Sequence, residues 1–155
     1  MAAREHVGLI EWTIQVVKEK TRAPTSLFLF KSIPVMVLIH TVYTVIFWLN
    51  VFPNMSKEQW FSPREISTGL TDDYKRNCKT VVGAYSKASI DAKITNSNVE
   101  RRQSCIYLGP SGNRQGSVKC FVIETGVVIV RCIFDVLPYP GAILKKLENW
   151  GKRGK

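Results

Sequence analysis

Acidic residues are scarce in this chain of 155 residues: 12 aspartates and glutamates stand against 22 lysines and arginines, a net charge of +10. Such an excess points to a polyanionic partner, nucleic acid or an anionic membrane surface, and nucleic acid is the commoner of the two. Close-set cysteines are lacking too. Cys78, Cys105, Cys120 and Cys132 form no Cys-x-x-Cys pair, and His6 and His40 lie far from them in sequence, which argues against a structural zinc site. The N-terminal Met1-Ala-Ala-Arg-Glu-His has no apolar stretch of the secretory kind. The chain is therefore expected in a reducing compartment, nucleus or cytoplasm, and not secreted. Three of the cysteines fall in predicted strands, where they are expected to serve as small packing residues. No repeat occurs at a solenoid period. What is present, a hydrophobic fraction of 45%, is ordinary for a folded chain.

Residues 6–22, HVGLIEWTIQVVKEKTR, place Val7, Ile10, Ile14 and Val17 on one helical face and Glu11, Gln15, Lys18 and Arg22 on the other. Pro24 is expected to end that helix. Residues 33–52, IPVMVLIHTVYTVIFWLNVF, are the most apolar stretch and raise the question of a membrane span. His40, Thr41, Thr44 and Asn50 interrupt the run, and Pro34 suits the first turn of a helix. A buried helix is the better reading, with a single-span membrane protein anchored by residues 33–52 as the alternative. Residues 53–80 are polar, with prolines and a glycine, and read as a connector with room for one short helix.

Short β-rich runs follow at 81–85, 105–108, 117–123 and 127–134, with a polar loop over 86–102. Their number and brevity suggest a small barrel at 81–138 that closes its own sheet. With Glu124-Thr125-Gly126 as a three-residue loop, Ile123 would pair with Val127 and Lys119 would face Arg131. Two like charges so placed either splay into water or meet a phosphate backbone. Residues 139–155 carry Lys145, Lys146, Lys152, Arg153 and Lys155 against Glu148 alone, the pattern of a solvated basic tail. The fold class expected is thus α+β, two N-terminal helices followed by a small β-barrel.

The ordered series GLIEW, WLNVFP, SPREISTGL, YLGPSGNRQG and IETGVVIVRCIF, with its following LPYP, resembles the integrase portion of copia-type retrotransposon polyproteins. The resemblance implies that residues 1–52 are the helical end of an RNase-H-like catalytic core and that 81–138 form a Src-homology-3-like barrel. It maps Glu11 onto the last acid of an Asp-Asp-Glu triad, a catalytic and metal-binding position for magnesium in the family. The family's two aspartates precede that glutamate, whereas Asp72, Asp73, Asp91 and Asp135 all follow it here. Paired metals need several carboxylates to balance their charge. This chain alone is therefore expected to lack enzymatic activity and to carry no cofactor, and Glu11 would bind metal only if another chain supplied the missing acids. The nucleic-acid contacts expected are Lys18, Arg22, Arg101, Arg102, Lys119, Arg131, Lys145 and Lys146. The partner expected is DNA, bound without sequence preference, together with the missing part of the core or other chains of the polyprotein. A membrane is not expected.

Overall fold

A computed structural model of the chain describes residues 2–53, 60–90 and 100–154. The side chains of residues 2–7, most of the loop expected over 86–102, and Lys155 lie outside this description. In chain order the elements are α1 (Ala2–Ser26), α2 (Val35–Val51), α3 (Pro63–Thr68), α4 (Tyr74–Asn77), β1 (Tyr85–Ser89), β2 (Arg102–Pro110), β3 (Val118–Val122), β4 (Val128–Arg131), β5 (Phe134–Val136) and α5 (Gly141–Lys152). The fold is α+β with one antiparallel sheet.

Pro24 does not end α1, which continues to Ser26. A proline this close to the C-terminus removes one backbone donor. Neighbouring hydroxyls supply side-chain donors there: Thr25 Oγ1 donates to the carbonyls of Thr21 and Arg22, and Ser26 Oγ to that of Ala23. Among the described residues of the expected apolar face, only Val17, toward its C-terminal end, is used. Thr21 is buried and Val17 half-buried, whereas Ile10 and Ile14 keep 59% and 48% of their surface exposed.

Pro34 opens α2 as its N-cap residue. The helix buries Val37, Thr41, Thr44 and Val51, a line down one face. Two of the polar residues that break its apolar run therefore lie on the packed side. Thr44 Oγ1 donates to the Leu108 carbonyl at 2.6 Å, where the β2–β3 register slips between Tyr107 and Gly109. Gly109, at φ 139°, admits this contact, because a Cβ there would meet Thr44 Oγ1 at 2.3 Å. Among the described residues no helix is long and apolar enough to cross a membrane.

The connector holds two short helices rather than one. α3 is framed by a capping box, Ser62 Oγ accepting from Glu65 N and Glu65 Oε2 from Ser62 N, and by left-handed Gly69.

Strands β1 to β4 form a meander and β5 returns to pair with β1, giving the order β4-β3-β2-β1-β5. In a flat sheet β4 and β5 would stand roughly 19 Å apart. Only Cys132 and Ile133 join them, so Arg131 and Phe134 can be no more than about 10 Å apart. The sheet must therefore curl. It does not close into the expected barrel, since no ladder pairs β4 with β5 among the described residues. Across the gap Arg131 Nε donates to the Ser89 carbonyl, and Ser89 N–H to that of Ile133.

Strand limits differ from expectation. Residues 81–84 precede the first strand, and β1 runs over Tyr85–Ser89 into the start of the segment expected to be a loop. β2 begins at Arg102, at the other end of that segment, and not at 105, and the run over 127–134 is broken at Cys132 where the chain changes neighbours. Cys105 and Cys120 are packing residues, but Cys132 is exposed.

The curl makes two cores. The inner one collects Ala88, Cys105, Tyr107, Val118 and Cys120, with Ile129 and Phe134 against them. The outer one joins Tyr85, Ile106, Leu108, Phe121 and Ile123 to Phe30, Val37 and Leu147 from outside the strands. β3 is thus covered on both faces, which accounts for its nearly unbroken apolar run.

Candidate nucleic-acid interface

The hairpin register is one residue away from the expected one. Val118 pairs with Arg131, Lys119 with Val130 and Phe121 with Val128. The connection is a four-residue loop, closed by Val122 N–H to the Val127 carbonyl, with Gly126 left-handed at φ 72°. Ile123 is not free to pair with Val127: its N–H continues the β2 ladder onto the Ser104 carbonyl, and its own carbonyl accepts from Trp150 Nε1 at 2.8 Å. A slip of one residue moves side chains to the opposite face.

Lys119 and Arg131 consequently lie on opposite faces of the sheet and cannot neutralise one phosphate backbone together. Lys119 shares the Phe121 face, is half-buried, and lies near enough to His40 of α2 to influence its titration. Arg131 shares the Cys120 face and donates to the Ser89 and Val130 carbonyls.

His40 is half-buried, touches Tyr43 edge-on, and keeps its Nδ1 buried without a hydrogen-bond partner. Burial, and secondarily the charge of Lys119, hold its pKa below the ordinary 6.5. A histidine with a lowered folded pKa takes up its proton more readily when unfolded. Stability is therefore full above pH 6.5 and falls as the pH drops from there through the lowered folded value. His40→Gln should flatten thermal midpoints between pH 7 and 5 relative to the parent chain. An unchanged pH profile would remove His40 as the cause.

The remaining expected contacts are scattered over three regions. Lys18 and Arg22 are exposed on α1, along a groove with Ile14, Val17, Leu38, Val42 and Ile46. Arg101 is exposed before β2, and Arg102 is engaged by Asp135 in an ion pair. Lys145 and Lys146 belong to α5, the segment expected to be a free tail.

That segment is a docked helix. Ile143, Leu144 and Leu147 pack on the outer core, and Trp150 meets Phe121 edge-on at 6.3 Å. Gly151 lies against the Ser32 carbonyl, where a Cβ would come within 2.2 Å. The inward side is thereby fixed, and Lys145, Lys152 and Arg153 are held outward in water. Lys146 is also exposed, 3.8 Å from Glu124. The helical spacing of Ile143, Leu147 and Trp150 was the sequence signal for this element.

Glu11 is exposed. Among the described residues no three of histidine, cysteine, aspartate and glutamate are grouped to hold a metal ion.

Inside the sheet, Cys120 remains a neutral thiol. Its hydrogen bond with Cys105, and then burial, push its pKa up. Ser86 completes that cluster, its Oγ 3.3 Å from Cys105 Sγ.

No protein family, characterised protein or solved structure matches the chain detectably.

Proposed function

We propose that this chain is a nucleic-acid-binding piece of a copia-type integrase, catalytically incomplete by itself, which holds DNA through phosphate contacts without reading sequence. The observation that carries this reading is α5: a helix locked on its inner side presents Lys145, Lys146, Lys152 and Arg153 outward from a chain of net charge +10. Cations on a rigid element lose less freedom on binding than cations on a loose tail.

The curled five-stranded sheet supports the finer reading of the β unit as an opened barrel of the Src-homology-3 type. The exposed Ile10, Ile14, Leu38 and Ile46 support a helical pair whose apolar side belongs against further protein, such as the rest of a catalytic core. The free thiols of Cys105 and Cys120 suit a reducing compartment, nucleus or cytoplasm.

Lys145→Glu combined with Lys152→Glu should weaken binding to a 25-base-pair duplex and lower the slope of log affinity against log salt by about 2, one unit per lost contact. Thermal melts should stay within about 0.5 kcal/mol of the parent chain, because both residues are exposed. A salt slope that does not change would remove α5 from the interface. Absence of duplex binding by the parent chain would sink the proposed function altogether.

A further inference from the structure

Large aromatic side chains are ordinarily well buried, yet two beside the helix pair stay largely in water. Trp12 of α1 keeps 63% of its surface exposed, and Phe52, which caps the end of α2, keeps 52%. Both line one cavity of about 650 Å³, together with Trp48 and Lys20. That cavity shares no lining residue with the apolar groove of Ile14, Leu38 and Ile46.

Residues 48 and 52 are one helical turn apart, so their rings can meet. Trp48 stacks on Phe52 with centroids 5.7 Å apart and planes 27° from parallel, and Phe52 stacks on Tyr74 at 5.8 Å and 19°. Trp12 comes from the other helix and joins no ring pair among the described residues. The cavity thus has an aromatic wall on each helix. Charge narrows the guest further. Lys20 is the one charged side chain among the described lining residues, and it is exposed and makes no ion pair among the described residues. It would repel a cation, the guest that aromatic cages otherwise favour. A flat ring carrying one negative group meets both features.

We infer that this cavity takes one unpaired nucleotide of a single strand, its base against the Trp12 and Trp48–Phe52 rings and its phosphate toward Lys20. Every base has a π-face, so the site stacks any of them without reading sequence. The volume lies inside the roughly 300–1,000 Å³ of small-molecule pockets. One lysine balances the single charge of a phosphodiester, whereas a free nucleoside triphosphate would bring several charges against it. A base within a duplex is stacked on both sides and offers no free face, so the site serves single strands and frayed ends.

The inference rests on the nucleic-acid reading above but predicts something that phosphate contacts alone do not. Trp12→Ala should weaken binding of a 15-nucleotide single strand about tenfold, the share of one stacked base, and leave affinity for a duplex unchanged. Trp12→Phe, which keeps a ring, should recover most of that loss. Lys20→Ala should lower the slope of log affinity against log salt for the single strand by about 0.7, one phosphate contact. Both positions are exposed, and thermal melts of the three variants should match the parent chain. Equal effects of Trp12→Ala on single strand and duplex, or none on either, overturn the stacking site while leaving the phosphate reading in place. So does a parent chain that binds duplex alone. Adenosine monophosphate competing as tightly as the strand would make a free nucleotide the guest and overturn the strand. If neither form of nucleic acid binds, both readings fail together.

Discussion

A fragment comprising residues 81–138 is expected not to fold, although it contains every strand of the sheet. Four of its large apolar side chains, Ile106, Leu108, Phe121 and Ile123, are at most 1% exposed, and their covers come from outside the fragment: Phe30, Val37 of α2 and Leu147 of α5. Cutting at 81 and 138 would strip that face to water. Full exposure of such side chains forfeits about 1.5–3 kcal/mol each, against a stability of roughly 5–15 kcal/mol for an entire domain. Neither end of the sheet compensates, because the edges at β4 and β5 stay unpaired with one another. Nitrogen–proton spectra should show collapsed amide dispersion for 81–138 and full dispersion for the whole chain. A well-dispersed fragment spectrum would show that the inner core, around Tyr107 and Cys120, suffices by itself.

Leu147→Ala should destabilise the chain by about 3 kcal/mol, within the range for leucine truncation at a buried site. The residue is 0% exposed and packs in the outer core among side chains that come from the sheet and from α2. For a chain of this size the loss corresponds to a fall of roughly 10 °C in Tm. Lys145→Ala, two residues away on the exposed side of the same helix, should change stability by no more than about 0.5 kcal/mol. The contrast between the two separates a docked helix from a solvated tail, for which neither substitution would register. Denaturant titration with equal m-values is the measurement.

The two helices, the connector and the β-rich remainder could all be read from the chain. Pro34 marked the start of α2, and Gly126 marked the hairpin turn. The Ser62-Pro63-x-Glu65 sequence with Gly69 held the capping information for α3 in plain view, although charge and composition made the segment look like a loop. α5 was obscured in the same way. Five cations in a short stretch suggested a tail, while Ile143, Leu147 and Trp150 recur at helical spacing through it.

The hairpin register could not be read. A three-residue and a four-residue loop both fit Ile-Glu-Thr-Gly-Val, and alternation cannot choose between them when both faces of β3 are buried. The choice was made by Ser104, whose carbonyl takes the Ile123 N–H, and by Trp150, whose indole takes the Ile123 carbonyl. That single residue of register sent Lys119 and Arg131 to opposite faces. The pairing of Arg64 with the Gly112 carbonyl is likewise unreadable locally, because it joins segments 48 residues apart.

By itself, then, the sequence determined the class of the chain, the order of its two long helices, connector and β-rich remainder, and its excess of positive charge, since helical and strand periodicities, turn residues and charge are all local quantities. Only the tertiary structure decided which face of each strand is covered, that the barrel stays open, and that the basic end is a docked helix. Those outcomes depend on which surfaces meet, and contacts between distant segments are settled by packing and hydrogen-bond satisfaction across the whole fold.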